Sequence, residues 1–178
     1  MTTTSSIQLN HHNTTFSKHS FPIILISDNV SHAANVGSLF RTADAFGVQH
    51  LILGGSPIEL GRKFTKTSRA TEHSVSFEQT ETILEKIREL KSQNYTLVAL
   101  EITEKSCPIA ELELPNDSKI VFIIGDEKHG VSAAILEICD YSVHIEMYGQ
   151  NSSMNVVQAT SIGLYELTKK LSLSRDNF

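Results

Sequence analysis

The sequence predicts an α/β fold, a mainly parallel sheet with helices on both faces. Two apolar runs, residues 23–26 and 120–124, are apolar throughout rather than alternating, as in strands covered on both sides. Strand-like and helix-like stretches alternate along the chain, the pattern of repeated strand–helix–strand units. Three polar, glycine-containing loops each follow a strand where the next helix begins, and such corners hold ligands in open α/β sheets.

The elements follow in order. Residues 21–27 read as a buried strand. Residues 34–46 read as a helix, because Val36, Leu39, Phe40, Ala43 and Phe46 recur at helical spacing before Gly47. Residues 49–53 form a second strand, and 54–70 a glycine-rich, then basic, connection. Residues 74–77 suggest a short strand. Residues 80–93 form an amphipathic helix with Ile83, Leu84, Ile87 and Leu90 inward, and 95–100 the next strand. Residues 106–114 are undecided. A central strand spans 119–124, a short helix 132–139 and a last strand 141–145. The final helix covers 153–171, with Val157, Thr160, Leu164, Leu167 and Leu171 as its buried stripe. No linker is evident, so 21–178 is expected to be one domain behind a polar, frayed tail at 1–20.

Composition excludes several classes. The 178 residues suffice for one real core. No apolar run approaches membrane-spanning length, and the start lacks the apolar stretch of a signal peptide. Two cysteines without CxxC spacing fit a reducing cytoplasm, and no HExxH or spaced Cys/His cluster suggests a metal. His11 and His12 read as part of a solvated tail. The net charge of −5 argues against nucleic acid, yet 61–70 carries Arg62, Lys63, Lys66 and Arg69 with no acid. That segment reads equally as a phosphate-binding patch or a solvated loop, because phosphate contacts depend on local charge.

The loops carry the chemistry. In the first, Asn35 stands where an N-cap is expected and Gly37 permits close approach of a backbone or ligand. Arg41 has two readings, an ion pair with Asp44 three residues on or a fork holding a phosphate. In the second, Gly125 and Gly130 bracket Asp126, Glu127, Lys128 and His129. This is neither a Walker loop nor a GxGxxG fingerprint, and its acids suit a cationic or hydroxyl-bearing ligand, or an ordinary helix-capping turn. In the third, Gly149 breaks a strand into residues 150–153, and Ser153 or Asn155 caps the last helix. There is no GxSxG elbow.

Taken in order, these loops resemble the SpoU/TrmH-type RNA methyltransferases of the SPOUT superfamily. The first family motif is matched by Asn35-Val36-Gly37 and Arg41-Thr42-Ala43, the second by Gly125, Glu127 and Gly130. The third is matched by Met147, Gly149, Ser153, Asn155 and Val156, with Glu146 for the usual proline, Met154 for leucine and Val157 for a common serine. The likeness runs from about residue 21 to 171.

The resemblance implies an α/β fold with a deep C-terminal trefoil knot, which pattern alone would never suggest. It implies a homodimer in which Arg41 of one subunit reaches the site completed by the other. S-adenosylmethionine would be bound by loops around Leu100, Gly125, Ile145 and Met154. The catalytic set would be Arg41, Asn35, Glu127, Ser153 and Asn155, with Arg62, Lys63, Lys66 and Arg69 gripping RNA. The product would be a 2′-O-methylated ribose, with tRNA the expected substrate and ribosomal RNA the second. A non-catalytic RNA-binding relative and an unrelated nucleotide-binding α/β enzyme are the alternatives. The family often carries an additional N-terminal RNA-binding domain, for which the short tail leaves no room.

Overall fold

The computed structural model describes residues 14 and 16, 18–151 and 153–175. His11, His12, most of the expected tail and Ser152 lie outside the described residues. The chain enters a seven-stranded sheet at β1 (Phe21–Asp28), continues through α1 (Ala33–Ala45) to β2 (Val48–Gly54), and crosses a basic helix α2 (Arg62–Ser68) to β3 (Phe77–Thr80). Then follow α3 (Ile83–Ser92), β4 (Tyr95–Leu100), a two-residue β5 (Cys107–Pro108), β6 (Lys119–Gly125), α4 (Ala133–Leu136), β7 (Tyr141–His144) and α5 (Val156–Arg175).

The strand order is β3-β2-β1-β6-β4-β7-β5, and every pairing is parallel. The carboxyl ends align, with Asp28 opposite Gly125, and Leu100 opposite both Ile124 and Val143. Alternate side chains of β1 and β6 serve different layers. Ile23, Leu25, Ile120, Phe122 and Ile124 pack with α1, α2 and α5, while Ile24, Ile26, Val121 and Ile123 pack with α3 and α4. Both faces are thus covered, which is why β1 at 23–26 and β6 at 120–124 are apolar at every position. No helix of the described residues is long and apolar enough to cross a membrane.

Several local expectations are corrected. The connection 54–70 contains a helix, α2, invisible to periodicity because Phe64 is its one apolar residue among cations. Tertiary contact holds it: Phe64 meets Phe40 edge-on at 5.2 Å, and Gly37 brings α1 so close that an added Cβ would lie 2.7 Å from Phe64 O. The glycine therefore serves helix–helix approach. The short strand lies at 77–80 rather than 74–77, because Ser74 and Val75 spend their N–H groups on Thr71 O in a 3-10 turn. Its polar sequence is tolerated at a sheet edge. The helix expected at 132–139 shrinks to α4, as Lys91 takes Ile138 O and Asp140 accepts from Leu97 N, steering the chain into β7. The undecided 106–114 becomes β5 and a 3-10 turn (Ile109–Glu111) that buries Ile109 and Leu112.

The last helix begins at Val156, not 153, and Val156 rather than Val157 opens its buried stripe. Asn155 is its cap, its side-chain oxygen accepting from Val157 N at 2.9 Å, while Ser153 donates to Asn151 instead. At the other end of the chain, Asn35 is not an N-cap: α1 starts at Ala33, leaving the Asn35 amide free for longer-range contact.

Phe122 is fully buried against α5, where Gly163 leaves no room for a side chain between them. Phe122→Ala is expected to cost about 3–5 kcal/mol of stability, read from the urea-unfolding midpoint.

Candidate functional site

The aligned carboxyl ends of β6, β4 and β7 open into a cleft of about 340 Å³. Its walls include Leu100, Ile124, Ile145, Met154 and Val156, and its rim carries Glu101 and the whole 125–130 loop. The size, and the combination of an apolar wall with a polar rim, suit a nucleoside-sized ligand.

The loop after β6 is held by carboxylates. Gly125 lies so close to Gly130 and Val131 N that it admits no side chain, and Gly130 takes a positive φ of 67° beside the Glu101 carboxylate. Glu101 accepts from Val131 N at 2.8 Å and from Ile102 N at 3.0 Å. Asp28, 1% exposed at the end of β1, accepts from Ser132 N at 2.8 Å and from the Asn29 amide at 2.7 Å. Asp126 accepts from Lys128 N at 2.6 Å and His129 N at 2.7 Å, and its second oxygen lies 3.1 Å from His129 Nδ1. Sequence reasoning missed Asp28 and Glu101; an acid directly after an apolar strand is the signal that marks both.

All four residues expected to bind a cofactor, Leu100, Gly125, Ile145 and Met154, line the cleft, as do Glu127 and Ser153. The three loops meet at its mouth. The Asn35 amide donates to Glu127, and the Asn155 amide donates to Asn35 Oδ1 at 3.4 Å. Residues separated by 92 and 120 positions thereby form one polar chain.

Arg41 is not brought in. It is exposed on α1, lines none of the cleft, and has no bonding partner among the described residues. The Asp44 pairing is not made either, since Asp44 accepts from Ser74 Oγ at 3.0 Å. Arg62, Lys63, Lys66 and Arg69 are all exposed on or just beyond α2, away from the cleft lining. Burial first, and the Asp140 carboxylate second, push the Cys139 thiol up to about 12, so it offers no nucleophile near neutrality. Among the described residues no group of three or more His, Cys, Asp or Glu could hold a metal ion.

A sequence model described as the SpoU rRNA Methylase family matches residues 22–165. A tRNA (guanosine(18)-2'-O)-methyltransferase of Aquifex aeolicus is 30% identical, covering 83% of this chain and 69% of the relative. A 23S rRNA (guanosine(2553)-2'-O)-methyltransferase of Bacillus subtilis is 29% identical, covering 81% of this chain but only 57% of the relative. The crystal structure of an A. aeolicus TrmH/SpoU tRNA modifying enzyme superposes with a TM-score of 0.79 at 28% identity, over 89% of this chain and 79% of that one. An AdoMet-bound rRNA methyltransferase from Sinorhizobium meliloti shares the fold, with a TM-score of 0.78 at 21% identity over 88% of this chain and 59% of that one.

Burial works to raise the Asp126 pKa, but the N–H groups of His129 and Lys128 outweigh it and hold it below the ordinary carboxylate value. A carboxyl lowered by folding lends its stabilisation above the unfolded value and loses it as pH falls through the folded one. The loop is therefore expected to stay ordered in mild acid and to loosen only below about pH 3.9. Following the Lys128 and His129 amide NMR shifts down through that range checks it.

Proposed function

The chain belongs to the SpoU rRNA methylase family, and from that membership we propose that it is an S-adenosylmethionine-dependent RNA methyltransferase. It places a methyl group on a ribose 2′-hydroxyl, in tRNA by preference. The observation that carries the reading is the joining of Asn35, Glu127 and Asn155 at the mouth of a nucleoside-sized cleft. Ribosomal RNA is the second reading, favoured by the B. subtilis relative, which acts on 23S rRNA by name.

The cleft fits the cofactor: its walls are apolar, strand ends edge it, and Gly125 lets the backbone of Gly130 and Val131 close against the strand end. Leu100, Gly125, Ile145 and Met154 hold the adenosine. S-adenosylmethionine supplies an activated methyl on its sulfonium sulfur. The protein aligns the acceptor hydroxyl with that methyl and keeps water out. Glu127, held by Asn35, and Asn155, which also caps α5, fix the loops around the ribose; Ser153 lines the same wall. Arg41 binds the phosphate beside the target ribose and lowers the hydroxyl's pKa by its charge. The exposed cations Arg62, Lys63, Lys66 and Arg69 grip the RNA backbone.

We infer further that residues 21–178 act as one unit and work as a homodimer. Arg41 faces solvent rather than its own cleft, and α5 beside it exposes Ile162 (40%) and Tyr165 (57%). A second copy covering this face would bring its arginine to the neighbouring site. The C-terminal trefoil knot is proposed from family membership; α5 packs against the 109–111 turn, where Gly163 nears Phe122 and Ile109 and Lys170 donates to Ala110 O at 2.6 Å.

Labelled methyl transfer to unmodified tRNA and rRNA, with nucleoside analysis, tests the function; a product other than a 2′-O-methylnucleoside, or none, overturns it. Arg41→Ala is expected to lower kcat by about a hundredfold or more while S-adenosylmethionine affinity stays within a few fold. Lys66→Ala is expected to weaken all RNAs alike and to lower the slope of log affinity against log salt by about one.

A further inference from the structure

We propose that Glu146 and Asn151 hold the amino-acid end of S-adenosylmethionine, in a second cavity that adjoins the first. This deepens the methyltransferase reading and rests on it.

The cleft at the ends of β6, β4 and β7 suits a nucleoside, and S-adenosylmethionine is a nucleoside with a methionyl arm. The arm ends in an ammonium and a carboxylate, which need an acceptor and a donor. A second cavity, of about 400 Å³, shares Ile102, His144, Ile145 and Met147 with the first. The rest of its lining comes from the loop 146–151. An arm leaving the adenosine therefore has contiguous space to enter.

Glu146 is the acid with acceptor capacity to spare there. Glu101 accepts backbone N–H groups on both oxygens, and Asp126 is committed to the N–H groups and the ring of its own loop. Glu127 keeps one oxygen beyond its bond from Asn35, but it lines only the first cavity. Glu146 lines the second, and its one partner among the described residues is the Tyr148 hydroxyl, which donates to Oε2 at 3.3 Å. No lysine or arginine of the described residues lines that cavity, so the carboxylate keeps its charge unpaired there. Such a group draws an ammonium and repels a phosphate, which sets this cavity apart from the cations of α2 proposed to grip RNA.

Asn151 supplies the opposite end. Its Oδ1 accepts from the Ser153 N–H and from the Ser153 hydroxyl, both at 3.4 Å. A backbone N–H can only donate, so the amide oxygen is the atom turned to Ser153 and the amide nitrogen is left to donate elsewhere. The cavity thus combines a carboxylate with an amide donor, the complement of a zwitterion. The family motif has proline where this chain has Glu146, a side chain with no acceptor, so the motif does not specify this contact.

Calorimetric titration with three nucleosides tests it. S-adenosylmethionine and S-adenosylhomocysteine carry the ammonium and the carboxylate. 5′-Methylthioadenosine keeps the adenosine and the sulfur but lacks both. Glu146→Gln is expected to weaken the first two about tenfold and to leave 5′-methylthioadenosine within about twofold. Asn151→Asp, which sets a negative charge against the ligand carboxylate, is expected to show the same split. Retained 5′-methylthioadenosine binding shows in the same titration that the variant is folded. Equal loss for all three ligands, or loss for none, overturns the proposal and leaves the methyltransferase reading standing. A wild-type protein that binds none of the three removes both.

Discussion

The site depends on how the chain leaves β6 without a helix to absorb its backbone donors. Residues 126–132 turn back over the sheet, and their N–H groups need acceptors. Three carboxylates on three segments supply them. Asp28 at the end of β1 holds Ser132, Glu101 after β4 holds Val131, and Asp126 holds Lys128 and His129. Because β1, β6 and β4 are adjacent and in register, the first two acids arrive on either side of the same loop. An unsatisfied buried donor costs about 1–3 kcal/mol, so these acids are structural partners of the loop as much as features of the cleft.

The same loop joins recognition to chemistry. Glu127 points to Asn35 of α1, which meets Asn155 at the cap of α5. Moving any one of the three segments disturbs the other two, so the cleft is assembled rather than contributed by a single motif. Gly125 and Gly130 are required for the approach, one beneath backbone and one beside a carboxylate. The net charge of −5 is compatible with the proposed RNA partner through segregation: acids fill the loop supports, while the cations of α2 face solvent on a separate element.

Much of the framework is legible in the residues. β4 and the cores of β1, β2 and β6 sit where apolar runs place them, because a strand buried on both faces has no other composition to adopt. The four positions expected to bind a cofactor from motif spacing line one cleft. The failures share a cause. α2 is a helix because Phe64 docks on Phe40 and Gly37, a contact absent from its own seven residues. β3 slid along because a turn claimed the donors of Ser74 and Val75.

The linear chain thus determined the class of fold, the order of most elements and the three loops that carry polar chemistry, since periodicity and glycine placement are local properties. The folded chain alone decided that Asp28 and Glu101 support the loop after β6, and that Asn155 caps a helix while reaching Asn35. Arg41 was left outside its own cleft by the same process. Hydrogen bonds between residues about a hundred positions apart depend on strand register and packing, and no local pattern encodes a distance that only the assembled sheet creates.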